Sequence, residues 1–166
     1  STLLAIAAGE LAADSGADAA LGLGATVDVL VGDLDSVAET TRARLANAGA
    51  RIDAHPRDKD STDLELAVEV ALDHDPDRLV VVGGHGGRLD HAWAALGLLA
   101  ATADRVDRLE AWMGPAQVTL AGPRCPTVEV APRVGEVVSL VPIAGEARGV
   151  TTEGLRWALD DARLAG

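Results

Sequence analysis

The sequence predicts an α/β fold: an open, mostly parallel sheet with flanking helices, followed by a small all-β sandwich domain. Three observations lead there. Over the first two-thirds of the chain, short Val/Leu/Ala runs alternate with longer helical patterns, as parallel βαβ units require. Six aspartates gather in three clusters, each where a strand hands over to a helix, which is where an open α/β sheet builds its site. Near Gly114-Pro115 the texture changes: five of the seven prolines lie from Pro115 onward, among short β-like runs. The expected division is therefore 1–113 for the α/β domain and 114–166 for the β domain.

Strands are expected at Leu3–Ala7, Val29–Val31, Arg51–Ala54, Leu79–Val82 and Arg108–Trp112, each an apolar or alternating run bounded by turn residues. Helices are expected over Ala17–Leu23, Val37–Ala48, Asp63–Leu72 and Leu89–Ala101, where the apolar period lengthens. In the second domain the β-like runs are Gln117–Leu120, Thr127–Val130, Glu136–Val141 and Val150–Thr152.

The first cluster, Gly32-Asp33-Leu34-Asp35-Ser36, closes the strand that ends at Val31. Gly32 permits a turn that a side chain would obstruct, and two carboxylates one residue apart can share a metal ion. The competing reading is a strand-end turn in which Asp35 or Ser36 caps the next helix. In the second cluster, Asp58-Lys59-Asp60-Ser61-Thr62-Asp63, the Thr62-x-x-Glu65 pattern is a capping box, and Asp63 stands in the first helical turn, where the dipole favours negative charge. Asp58, Lys59 and Asp60 are not accounted for by capping; Lys59, the chain's sole lysine, is placed to neutralise phosphate near a helix start. In the third, Gly86-Gly87-Arg88-Leu89-Asp90-His91, Arg88 suits bidentate phosphate contact and Asp90 suits metal, against the alternative of a surface ion pair between them. His85 and His91 have no second His or Cys at zinc-ligand spacing. Neither a dinucleotide fingerprint nor a P-loop can be fitted.

Carboxylates converging from several strand ends repel unless a cation offsets them, so the pattern predicts a bound divalent metal serving phosphate chemistry. A net charge of −12 opposes nucleic-acid and anionic-membrane partners and suits a cationic small molecule. Lone Cys125 gives no intramolecular disulfide framework, and no apolar run of about 18 residues is present, so a cytoplasmic location is expected.

Together with Ala13-Asp14-Ser15-Gly16-Ala17-Asp18, these clusters resemble, in order and spacing, the catalytic domain of the thiamine pyrophosphokinase family. Gly135-Glu136-Val137-Val138-Ser139-Leu140 and Gly149-Val150-Thr151-Thr152-Glu153-Gly154-Leu155-Arg156-Trp157 resemble that family's thiamine-binding β domain. The resemblance implies pyrophosphoryl transfer from ATP to the thiamine hydroxyl, giving thiamine diphosphate and AMP, in a homodimer with sites at the subunit interface. It implies Mg2+ held by Asp33, Asp35, Asp63 and Asp90, with Arg88 on phosphate. Asp60, Thr62 and Lys59 would belong to the ATP pocket, Asp14 and Asp18 would line its nucleotide side, and Trp157 would pack on thiamine. Alternatives are a pyrophosphokinase for another alcohol, such as a hydroxymethylpterin, and a noncatalytic nucleotide- or thiamine-binding regulator; the Trp157 segment favours thiamine. Against the family pattern, segments near residues 9–12 and after Gly166 are expected to be absent from this chain.

Overall fold

The structure, a computed structural model, describes residues 3–6 (as backbone), 9–56, 58, 60–84, 88–143 and 145–166. Lys59, His85, Gly86 and Gly87 therefore lie outside the described residues. The chain divides into two units, Ser1–Val128 and Glu129–Gly166.

In the first unit, strands β1 (Leu3–Ile6), β2 (Glu10–Ala13), β3 (Val29–Gly32), β4 (Arg51–Ala54), β5 (Arg78–Gly83), β6 (Arg108–Met113) and β7 (Ala116–Leu120) form one sheet in the order β4-β3-β2-β1-β5-β6-β7. Helices α1 (Gly16–Gly22), α2 (Glu39–Asn47), α3 (Asp63–Leu72) and α4 (Leu89–Thr102) connect them. The pairs β2–β3, β3–β4 and β5–β6 are parallel, whereas β1 is antiparallel to both β2 and β5. Being reversed twice, β1 leaves β5 pointing the same way as β2. Five of the seven strands thus share a direction and deliver their carboxyl ends to one edge. β1 and the edge strand β7 run against them.

Strand β2 and its hairpin with β1 were not anticipated. Gln117–Leu120, assigned in the sequence to the β domain, is most of β7 and pairs with β6. A cut at 113/114 would sever that ladder, and the units instead meet at Val128/Glu129. The four expected helices are present, but α2 begins at Glu39, two residues after Val37.

Alternation along the strands sends side chains to two cores. On one face Leu11, Ala13, Val29, Val31, Leu79, Val81, Leu109 and Ala111 meet Leu64, Ala67, Val68 and Ala71 of α3 and Ala95 and Leu99 of α4. On the other, Ala12 and Leu30 meet Ala17 and Ala20 of α1 and Leu45 of α2. The small residues Ala12, Ala13, Ala17, Ala20, Ala67 and Ala71 let helices and sheet approach closely; burying each leucine contributes about 1.5–3 kcal/mol.

The second unit contains β8 (Ala147–Val150) and β9 (Ala162–Leu164), paired antiparallel. Glu146 accepts from both Arg148 and Arg163, and the Thr151 and Thr152 hydroxyls accept from the N–H groups of Asp161 and Leu159, shaping the loop that carries Trp157. The expected strands Thr127–Val130 and Glu136–Val141 do not form, so among the described residues this unit shows a single two-stranded sheet and no facing layer. A strand persists only where a neighbour accepts its hydrogen bonds, and Val130, Val134, Val137 and Val141 remain exposed.

One buried charge anchors the first unit's far half. Glu110 on β6 is 2% exposed and accepts from Arg78 on β5 (Nε 2.8 Å) and from Arg108 (Nη2 2.9 Å). Burial pushes its carboxyl up, but the hydrogen bonds and charges of Arg108 and Arg78 prevail and hold it below its ordinary 4.5. A lowered folded-state pKa means this stabilisation is full above about pH 4.5 and is lost as pH falls through the folded value. Glu110→Gln should lower the unfolding free energy at pH 7 by about 2 kcal/mol and flatten its fall below pH 4.5. Urea titrations from pH 7 to 3 check this, and parallel curves for the two proteins would refute it.

Candidate functional site

The candidate site grows from the carboxyl edge of β2 and β3. Because these strands are parallel, Asp14 and Asp33, the first residues beyond each, leave the sheet side by side. Asp14 takes a left-handed backbone conformation (φ +47°), and its N–H donates to Val31 O (2.9 Å), turning the chain back over the sheet. Leu34 is likewise left-handed (φ +62°), and Asp33 Oδ1 accepts from the Asp35 N–H (3.1 Å), folding Asp33-Leu34-Asp35 into a tight turn. Non-glycine residues rarely adopt this conformation and hold it only where surrounding contacts enforce it.

The result is that one carboxylate oxygen from each of Asp14, Asp33 and Asp35 lies within 4.8 Å of the others. Asp14 Oδ2 accepts from the Ser36 hydroxyl, while Asp14 Oδ1 is buried without a hydrogen-bond partner. Two oxygens on opposite sides of one Mg2+ stand about 4.2 Å apart, so this trio could close on a single cation with little movement. A buried acceptor lacking a donor is costly, and a cation would relieve it. Donor chemistry and spacing both fit a hard divalent ion.

Asp63 reaches the same place from the start of α3. A β-carbon on Gly32 would lie 3.1 Å from Asp63 Oδ1 and 3.3 Å from the Asp14 β-carbon, so both aspartates pack over this bare backbone. Thr62 does what its pattern predicts: its hydroxyl accepts from the Glu65 N–H (3.2 Å) while Glu65 Oε2 accepts from the Thr62 N–H (2.6 Å). Asp60 is exposed nearby in sequence.

Arg88 and Asp90 sit at the start of α4, on the same edge but beyond β1. They are exposed and paired with each other, Arg88 Nε donating to Asp90 Oδ1 (3.1 Å) and Nη2 to Oδ2. The Arg88 hydrogen bond chiefly holds the Asp90 carboxyl below its usual value, against an opposing desolvation, and Asp90 in turn raises Arg88. The surface-pair reading of the sequence thus describes this state, and Asp90 is not part of the trio. Asp18 lies near the site, but its carboxylate is occupied: Oδ1 accepts from Thr41 Oγ1 and Oδ2 from the Ala38 N–H (3.4 Å) at the start of α2. Trp157 in the second unit is 77% exposed, with the Arg156 guanidinium 4.9 Å from its ring centroid.

Sequence reasoning placed Asp14 on the nucleotide side and missed its membership of the carboxylate trio. The available signal was a strand ending at Ala13, which makes Asp14 a strand-end residue like Asp33.

Fold and site define an α/β protein with an acidic, cation-suited centre at the carboxyl edge of a doubly covered sheet. The chain belongs to the thiamin pyrophosphokinase family: residues 2–111 match the family model described as the thiamin pyrophosphokinase catalytic domain, and residues 127–166 match that of the vitamin B1 binding domain. It is similar to thiamine pyrophosphokinase of Bacillus subtilis, 40% identical over 68 residues covering 41% of this chain and 32% of that protein. It is also similar to thiamine pyrophosphokinase 1 of rice (Oryza sativa subsp. japonica), 26% identical over 157 residues covering 83% and 54%. The chain thus spans about a third to a half of these relatives. In fold it resembles the crystal structure of the B. subtilis enzyme, with TM-score 0.79 and 23% identity over 93% of this chain and 72% of that one. It also resembles that from Geobacillus thermodenitrificans, with TM-score 0.64 and 21% identity over 94% and 71%.

Gly32 tests whether the packing matters. With φ +143° and two aspartates against it, Gly32→Ala should lower the unfolding free energy by about 2 kcal/mol and displace Asp14 and Asp63. An unchanged urea midpoint would show that the site has slack this geometry denies.

Proposed function

We propose that this chain transfers pyrophosphate from ATP to the hydroxyl of thiamine, releasing AMP, with Mg2+ as its metal. The observation that carries the reading is the Asp14, Asp33 and Asp35 trio with its unpartnered buried oxygen, set in a chain of this family. The thiamine hydroxyl oxygen attacks the β-phosphorus, the bond from that phosphorus to the α,β-bridging oxygen breaks, AMP departs with the bridging oxygen, and the hydroxyl proton passes to solvent. Mg2+ held by Asp14, Asp33 and Asp35, with Asp63 beside them, would supply charge neutralisation on the triphosphate.

The protein's own part is alignment and electrostatics. The tight Asp33-Leu34-Asp35 turn and the Asp14 bend fix the carboxylates before substrate arrives, so little reorganisation is needed. Arg88, exposed and held only by Asp90 in the free chain, would turn to phosphate, leaving Asp90 to take a metal or substrate contact in exchange. Lys59, Asp60 and Thr62 would border the triphosphate from the loop before α3. Trp157, exposed on its loop, offers a ring face to the cationic thiazolium of thiamine. We further propose a cytoplasmic homodimer in which Trp157 serves the site of the partner subunit; among the described residues no helix is long and apolar enough to cross a membrane.

Phosphorus NMR of the chain with Mg2+, ATP and thiamine should show thiamine-dependent AMP and a new diphosphate ester. Asp33→Asn should cut that rate by about 100-fold or more without lowering the melting temperature. ADP as the nucleotide product, or normal turnover by Asp33→Asn, would overturn the reading, and binding of thiamine and ATP without any product would favour a regulator.

A further inference from the structure

We propose that Asp18 is a positioning residue that holds the Asp33–Ser36 loop in its cation-binding shape by capping α2 from outside that helix. The inference rests on reading the trio as a metal site. Asp33, Leu34, Asp35 and Ser36 are strung between the end of β3 and the start of α2, so both ends of the loop must be fixed if its carboxylates are to stay near Asp14. The sheet fixes the first end. The second end cannot cap itself, because the residue at the N-cap of α2 is Ala38, which has no side-chain acceptor. Asp18, in the first turn of α1, ties this end down from outside the helix instead, accepting from the N–H of Ala38 itself (3.4 Å) and from the Thr41 hydroxyl.

Four residues earlier in the same segment, Asp14 holds Ser36 through its Oδ2. The turn from β2 into α1 therefore grips the loop at Ser36 and again at Ala38 and Thr41. The left-handed Leu34 and two mutually repelling carboxylates lie between the end of β3 and the first of these grips, a combination that relaxes outward if the start of α2 is not held. Both Asp18 oxygens are engaged on α2, in contrast to Asp14, whose buried Oδ1 has no hydrogen-bond partner.

The test is Mn2+ titration of the full chain by electron paramagnetic resonance, without nucleotide, alongside thermal melts. Asp18→Ala should weaken Mn2+ binding about 10-fold, the order seen when a group supporting a metal ligand is removed. Asp18→Asn, which keeps one acceptor oxygen and loses the other, should fall between wild type and Asp18→Ala. Thr41→Val, which removes only the far partner, should weaken Mn2+ binding about 3-fold. Wild-type affinity in Asp18→Ala and Thr41→Val, with or without a lower melting temperature, would overturn the inference and leave Asp18 a helix cap of no consequence to the centre. No Mn2+ binding by the wild-type chain would instead sink the metal-site reading on which the inference stands.

Discussion

Repulsion among three carboxylates at the ends of β2 and β3 is the constraint around which the first unit is organised. With one oxygen from each within 4.8 Å, each ionised pair costs up to about 1 kcal/mol after solvent screening. Without a cation, only covalent geometry and fixed backbone can hold them there. The parallel pairing of β2 with β3 sets the spacing of Asp14 and Asp33, and the Val31 carbonyl and the Asp33 side chain pin the two bends. Gly32 leaves room for Asp63 and Asp14 to cross its backbone. A scaffold that keeps like charges together before ligand arrives has already met the cost that a flexible loop would face on binding.

The reversed strand β1 decides how wide the site is. Inserted between β2 and β5, it keeps their carboxyl ends on one edge while separating them by two inter-strand spacings, about 10 Å. The trio occupies one side of that gap, and Arg88 with Asp90 the other. A lone metal ion cannot bridge it, whereas an extended triphosphate can. The split explains why Asp90 pairs with Arg88 instead of joining the trio. Helices α1 and α2 on one face and α3 and α4 on the other make this edge a crevice between two windings, the position at which open α/β sheets bind ligands.

Much of this was legible in the residues. The β3, β4, β5 and β6 runs, the four helices, the Asp33/Asp35 turn and the Thr62/Glu65 capping box all follow from local pattern, because short-range sterics and hydrogen bonding decide them. What was missed depends on partners distant in the chain. Glu10–Ala13 is too short and too alanine-rich to declare itself a strand, and it becomes one by lying between β1 and β3; with it went the placement of Asp14. Val37 and Ala38 read as helix because their true constraint, the Asp18 carboxylate, stands twenty residues away from Ala38. Gln117–Leu120 reads as β in either domain, and only the β6 ladder assigns it to the first. Thr127–Val130 and Glu136–Val141 have strand-like composition without a neighbour to pair with, and composition alone does not order a backbone.

Residue type says little about function among these aspartates, whereas the state of each oxygen says a good deal. Asp18 has both oxygens on α2, so its negative charge is spent on backbone and hydroxyl donors. Asp90 has both on Arg88, in a pair exposed to water that no other part of the fold relies on for burial. Asp14 has one oxygen on Ser36 and the other buried with nothing to accept from. Folding tolerates such an atom only if neighbouring contacts outweigh its cost, and selection gains from it only if something later fills the vacant coordination. The three states differ in how much of each carboxylate is engaged, and it is the unpartnered oxygen of Asp14, absent from the motif-based metal set, on which the proposed cation site rests.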